Sequence, residues 1–138
     1  GLYDGLNVFA GWSTIEQNAT IGDRDQKAYG ATFAVGGATL GYQYSKDDEP
    51  GADAEYYENH AYGVSFSVND NLSVSYQNIE VEYDVASGTD LTADYDGFSA
   101  AYTMGPAAVK FQHSDGSNLG GAANTNDTNT EVSLSLTF

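Results

Sequence analysis

His60 and His113 are the two histidines of this chain, and with a crowd of carboxylates they are the residues whose chemistry must be weighed first. An acyl-transfer centre needs a nucleophile and an orienting acid within hydrogen-bond reach of such an imidazole. Neither histidine has a serine or aspartate at a spacing that suggests a triad, and both fall near the ends of alternating segments, so the expectation is no enzyme. Asp47, Asp48, Glu49, Asp53, Glu55 and Glu58 crowd one stretch. Carboxylate oxygens coordinate calcium, but the spacing departs from the EF-hand loop, and the stretch from Asp47 to Glu58 is expected to be a solvated loop without metal. No glycine-rich loop precedes a helical stretch to cradle phosphate, and the absence of cysteine excludes disulfides and thiolate metal sites. No cofactor is expected.

Charge narrows the partners. Twenty acids against four bases give a formal charge of -16, the opposite of the basic footprint that nucleic acid requires. Most acids lie between apolar-alternating runs, as in solvated loops. A length of 138 residues suits one domain, spanning 1–138. No window approaches the roughly 18 consecutive apolar residues of a membrane helix, which excludes helical spans only. The start at Gly1 lacks a basic-then-apolar leader, as expected of a processed secreted protein or a piece of a longer one.

The elements that would position any site are strands. Sixteen glycines, eleven tyrosines and many Ser, Thr and Val residues favour β structure, and apolar residues recur at every second position. The stripes are Leu6, Val8, Ala10 and Trp12; Tyr29, Ala31, Phe33 and Val35; Ala38, Leu40, Tyr42 and Tyr44; Tyr62, Val64, Phe66 and Val68; Leu72, Val74 and Tyr76; Phe98, Ala100, Tyr102 and Met104; Val109, Phe111 and His113; and Val132, Leu134, Leu136 and Phe138. Phe9 is the exception on the otherwise small or polar side of the first. After Asn78 the apolar phase slips to Ile79, Val81 and Tyr83, which predicts a bulge or a strand leaving its layer. Gly36-Gly37, Asn69-Asp70-Asn71 and Gly105-Pro106 are tight-turn signals. The connections between them, Asn18 to Gln26, Lys46 to Glu58, Val85 to Asp94 and Asp115 to Asp127, are longer and polar. About eight antiparallel up-and-down strands result.

Alternation does not say whether the apolar face meets a core or lipid, and a soluble lipocalin-like barrel or β-sandwich is the plain alternative. Three features weigh against it. The polar face is Gly, Ala, Ser, Thr and Gln, with Lys110 and Glu131 almost its only charges, whereas soluble sheets display Lys and Glu. Aromatic residues sit at the ends of the stripes: Trp12, Tyr29, Tyr42, Tyr44, Tyr62, Tyr76 and Phe98 toward the long loops, Phe33, Phe66, Tyr102 and Phe138 toward the short turns. Two aromatic belts around an aliphatic band suit a barrel in lipid. Short and long connections alternate, as periplasmic turns alternate with extracellular loops.

The stretches Gly30 to Tyr44, Tyr62 to Val68 and Gly97 to Gly105, and the terminal Ser-Leu-Ser-Leu-Thr-Phe ending at Phe138, resemble the carboxy-terminal half of an alphaproteobacterial general-diffusion porin of the Gram-negative outer membrane. The resemblance covers nearly the whole chain and rests on strand grammar. It implies a transmembrane β-barrel, a fragment of a 16-stranded trimeric porin or a smaller relative, with passive diffusion of small hydrophilic solutes and ions as its function. The pore-lining residues would be Gln43, Ser65, Ser75, Gln77, Ser99, Lys110, Gln112, Glu131, Ser133 and Ser135. The implied partners are outer-membrane lipid, further copies of the chain, and the barrel-assembly machinery, which in that family reads the strand ending in Phe138. Long loops would be extracellular and both termini periplasmic. A closed eight-stranded barrel serving as anchor or adhesin is the alternative; its interior is just filled by side chains, and Gly11, Gly30, Gly41, Gly63 and Gly97 are small for that.

Overall fold

The computed structural model describes residues 3–17, 20, 22–49, 55–85 and 88–137, with Glu49, Glu55 and Val85 described by backbone only. Eight strands follow one another: β1 (Leu6–Ile15), β2 (Arg24–Val35), β3 (Ala38–Glu49), β4 (Glu55–Ser67), β5 (Leu72–Val85), β6 (Leu91–Met104), β7 (Ala107–Ser117) and β8 (Asp127–Leu136). Each pairs antiparallel with its sequence neighbours in one up-and-down sheet. Among the described residues β1 pairs only with β2 and β8 only with β7.

The three short turns are built by the residues that signal them. Gly36 (φ +57) and Gly105 (φ +56) each stand first in a two-residue turn, closing Val35 onto Ala38 and Met104 onto Ala107. Positive φ at the first position is what a type II′ hairpin requires, and it matches the strand twist. At the third turn the Asn69 carboxamide oxygen accepts from the backbone N–H groups of Asn71 and Leu72, both at 2.9 Å. This Asx-type turn replaces backbone bonds with a side chain.

At the other end the strands run further than the apolar stripes. The β3–β4 ladder continues to Glu49↔Glu55, so most of the stretch expected to be an acidic loop is paired strand. Alternation survives there, but with charged and polar residues, and polar rungs carry no apolar signal to read. Likewise β2 begins at Arg24, β6 at Leu91 and β7 ends at Ser117, inside segments expected to be loops.

The phase slip after Asn78 is neither a bulge nor a departure. The register of β5 is unbroken against β4 from Ser73 to Val85 and against β6 from Leu72 to Tyr83. What changes is the polarity of the faces. Asn78, Glu80 and Glu82 continue the face that carries Val74 and Tyr76, while Ile79, Val81 and Tyr83 join the face of Ser75 and Gln77.

A single register row shows how the apolar band lies on the sheet. It starts at Leu6, the lowest stripe residue of β1, and runs through Phe33, Leu40, Val64, Tyr76, Phe98 and His113 to Thr130, which lies above Val132 of the β8 stripe. The band therefore slips by roughly one residue per strand against the hydrogen-bonded rows, the shear that tilted strands require.

Among the described residues no second sheet covers either face. Among the described residues only Gly30, Tyr44 and Ala93 are buried, while Val8, Phe33, Leu40, Val64, Phe66, Tyr102 and Leu134 are exposed. Ladder bonding and cross-strand pairs hold this sheet together; a packed core does not.

Candidate functional site

The chemistry of the molecule lies in the contrast between its two faces. Strand alternation assigns every expected pore-lining residue to one of them. Gln43 pairs with Gly30 and Ala61, Ser65 with Thr39 and Ser75, and Ser75 with Ser99. Gln77 pairs with Gly63 and Gly97, Lys110 with Ala101 and Ser133, Gln112 with Ser99 and Glu131, and Ser135 with Ala108. Cross-strand partners share a face, so all ten line up together. Ser75 and Ser99 share a hydroxyl hydrogen bond of 2.7 Å. Gly97 makes room for the Gln77 side chain, whose Cγ lies 3.1 Å from where a Cβ would stand. Such a surface offers hydrogen bonds to water and small solutes and little bulk to block them.

Phe9 also stands on this face, directly across from Gly30. A Cβ on Gly30 would meet the Phe9 ring at 2.5 Å, so the ring covers the bare glycine, an aromatic rescue. The exception in the first stripe thus has a packing role.

Two charges on the polar face were missed because they lie where the sequence suggests loop. The Arg24 guanidinium donates to Asp47 through Nε at 2.6 Å and Nη2 at 2.5 Å, and Gln26 donates to the same carboxylate at 2.9 Å. Ser13 donates to Gln26 at 3.1 Å, extending the chain of bonds across β1, β2 and β3. The pair lies beyond the apolar band. Arg24 first, then Gln26, holds the Asp47 carboxyl below its ordinary range, against the opposing effect of partial burial. Because the folded carboxyl titrates below the unfolded one, its stabilising contribution is whole above the ordinary carboxylate range and fades as pH falls through the lowered folded value. Asp47→Asn should therefore flatten the acid limb of the pH-stability profile; an unchanged limb in an unfolding titration below about pH 4 would refute this.

The remaining acids of the expected loop disperse. Lys46 takes Glu58 at 3.2 Å and Asp48 at 3.9 Å and lies over the Tyr56 ring at 3.8 Å. Asp53 lies outside the described residues. Among the described residues no group of three or more His or acidic side chains is placed to hold a metal.

The opposite face carries the residues of the expected aromatic belts. Trp12, Tyr29, Tyr42, Tyr44, Tyr62, Tyr76, Phe98, Phe33, Phe66 and Tyr102 all fall on it; Phe138 lies outside the described residues. Trp12 is the most exposed, at 85%. The rings of Tyr29 and Tyr44 lie tilted to each other at 4.9 Å and those of Tyr42 and Tyr62 at 5.2 Å, while the His60 ring lies 5.1 Å from Tyr44 and its Nδ1 is 3.0 Å from the Tyr42 hydroxyl. His60 is therefore a member of an aromatic row.

His113 has partners that sequence spacing does not suggest. Its Nδ1 is 2.7 Å from the Thr130 hydroxyl, across the β7–β8 ladder, and its Nε2 is 2.9 Å from Asp115. Asp115 also accepts from Thr128 at 2.7 Å. A hydroxyl, an imidazole and a carboxylate in line resemble a relay, but His113, Asp115 and Thr130 stand on the surface where water competes for each bond. They continue the row Tyr76, Phe98, His113 with polar tips, as Tyr76 does by donating to Asp96. Above that row the same face is acidic and amide-rich, with Asn78 donating to Asp94 at 2.9 Å.

Comparison with protein-family models, with curated proteins and with solved structures finds no match for this chain.

Proposed function

We propose that this chain forms the wall of a water-filled outer-membrane β-barrel, a porin through which small hydrophilic solutes and ions diffuse passively, with no reaction catalysed. One observation carries the reading: a continuous aliphatic band, edged with aromatic rings, covers one face of the sheet, and among the described residues no second sheet packs against it. In water such a face would be an aggregation surface. In a bilayer it is the lipid-facing wall, with rings at the headgroup level and the small polar face turned to the lumen.

The slip of the band supports the same reading. With strands about 4.8 Å apart and a rise of about 3.3 Å per residue, one residue of slip per strand tilts the strands by about 35° from the normal of a flat slab. That tilt is usual for outer-membrane strands. The exchange of polarity in β5 then marks where the wall leaves the membrane.

A closed eight-stranded anchor would pair β1 with β8, and among the described residues each has one partner. This favours the larger channel, in which further strands complete the barrel and trimeric association follows the porin pattern. Long connections then face outward, the tight turns face the periplasm, and the terminal segment, β8 with the residues after it up to Phe138, is the one read by the assembly machinery.

Conductance in a planar lipid bilayer tests the proposal. Stepwise openings from detergent-extracted, folded protein are expected. A folded, detergent-requiring protein that stays silent would favour the anchor, and a chain that folds without detergent or lipid would refute both.

A further inference from the structure

The connection between β7 and β8, expected from its composition to be a low-complexity polar loop, is described throughout and does not stand away from the sheet. Left-handed backbone at Asn118 (φ +52), Gly120 (φ +66), Gly121 (φ +72) and Asn124 (φ +62) turns it back on itself. Leu119 N–H donates to the Thr125 carbonyl at 2.9 Å and Asn124 N–H to the Asn118 carboxamide oxygen at 3.1 Å, so the loop is closed internally. It is also tied down. The Asn118 amide donates to the Thr92 carbonyl of β6 at 3.0 Å.

Its side of the sheet is fixed by two contacts. A Cβ on Gly116 would meet the Leu119 side chain at 2.6 Å, and one on Gly121 would meet the Tyr83 ring at 3.0 Å. Gly116 pairs with Tyr95, and Tyr83 with Tyr57 and Leu91, all on the polar face. The loop therefore leaves β7, crosses β6 on that face and touches β5, a reach of roughly 10 Å at ordinary strand spacing. Ala93, on the same face of β6, is 0% exposed. Tyr83, which β5 turns to that face and against which the Tyr57 ring stands edge-on at 5.3 Å, is the seat on which Gly121 of the loop rests.

We infer that residues 118–126 are a fixed, uncharged constriction at the mouth of the channel, which selects solutes there by size and hydrogen bonding. The inference rests on the porin reading. In a chain with 20 acids, this inward-folded segment contains only Asn, Leu, Gly, Ala and Thr. Its exposed groups are amides, hydroxyls and methyls, with no charge to sort ions.

The test uses single-channel recording of the protein in planar bilayers. Removing residues 119–124 should raise conductance and leave the reversal potential in a salt gradient unchanged. Ala122→Lys and Ala122→Glu, on an exposed position of the loop, should shift the reversal potential in opposite directions, toward anions and cations. Open wild-type channels whose conductance and reversal potential ignore all three changes would overturn the constriction and leave the porin reading standing. Wild-type protein that never conducts would overturn the porin reading, and the constriction with it.

Discussion

Val64→Arg should destabilise the lipid-folded protein by about 2 to 4 kcal/mol, whereas Ser65→Arg, one residue along the same strand, should be tolerated. Val64 lies in the middle of the apolar band between Leu40 and Tyr76, and Ser65 lies on the polar face between Thr39 and Ser75. Because nothing among the described residues covers Val64 or Ser65, burial in protein does not distinguish the two positions. Both are exposed, and only the surrounding medium separates them. In lipid an arginine at Val64 must leave water, while one at Ser65 stays hydrated. In water Val64→Arg would be close to neutral, since surface substitutions away from special features usually stay within about 0.5 kcal/mol. Equilibrium unfolding of both variants from lipid vesicles measures the difference. Equal stability would mean that the apolar face does not meet hydrocarbon.

Gly30→Val should be the most damaging glycine replacement in the wall, at a cost of about 1 to 3 kcal/mol from overpacking. Gly30 is buried, and a Cβ there would stand 2.5 Å from both the Phe9 ring and the Tyr42 carbonyl oxygen. The ring can swing away. The carbonyl belongs to the backbone of β3, so relief means opening the β2–β3 ladder. Gly63 is the control. A Cβ there meets nothing within 4 Å, so Gly63→Ala should be neutral or stabilising by up to about 1 kcal/mol, through the lost flexibility of glycine. Both are read in the same unfolding assay. A Gly30→Val protein as stable as Gly63→Ala would show that Phe9 and β3 do not close over this site.

The two glycines also show the limit of what their sequence contexts reveal. Both are small residues on the polar side of an alternating strand, and nothing local separates them. Gly30 differs because Phe9, 21 positions away, is its cross-strand partner.

Local pattern by itself determined the face of each described residue in the stripes, the positions of the three tight turns and the all-β up-and-down order. Those follow from the period of two along a strand and from glycine and asparagine at turns, which need no knowledge of distant residues. The ten polar-wall residues were legible for the same reason. Tertiary pairing decided the rest. The slip of the band across the sheet depends on register between strands, the extension of β3 and β4 into the acidic stretch depends on ladder bonds among polar residues, and the Arg24–Asp47 pair depends on both. The reversal of polarity in β5 and the fold of residues 118–126 onto the same face meet where Gly121 lies against Tyr83, and each looks anomalous alone. Tyr83 on that face makes sense only once the loop whose Gly121 seats on it has crossed β6, because a hydrophobic contact is fixed by what arrives from elsewhere in the chain.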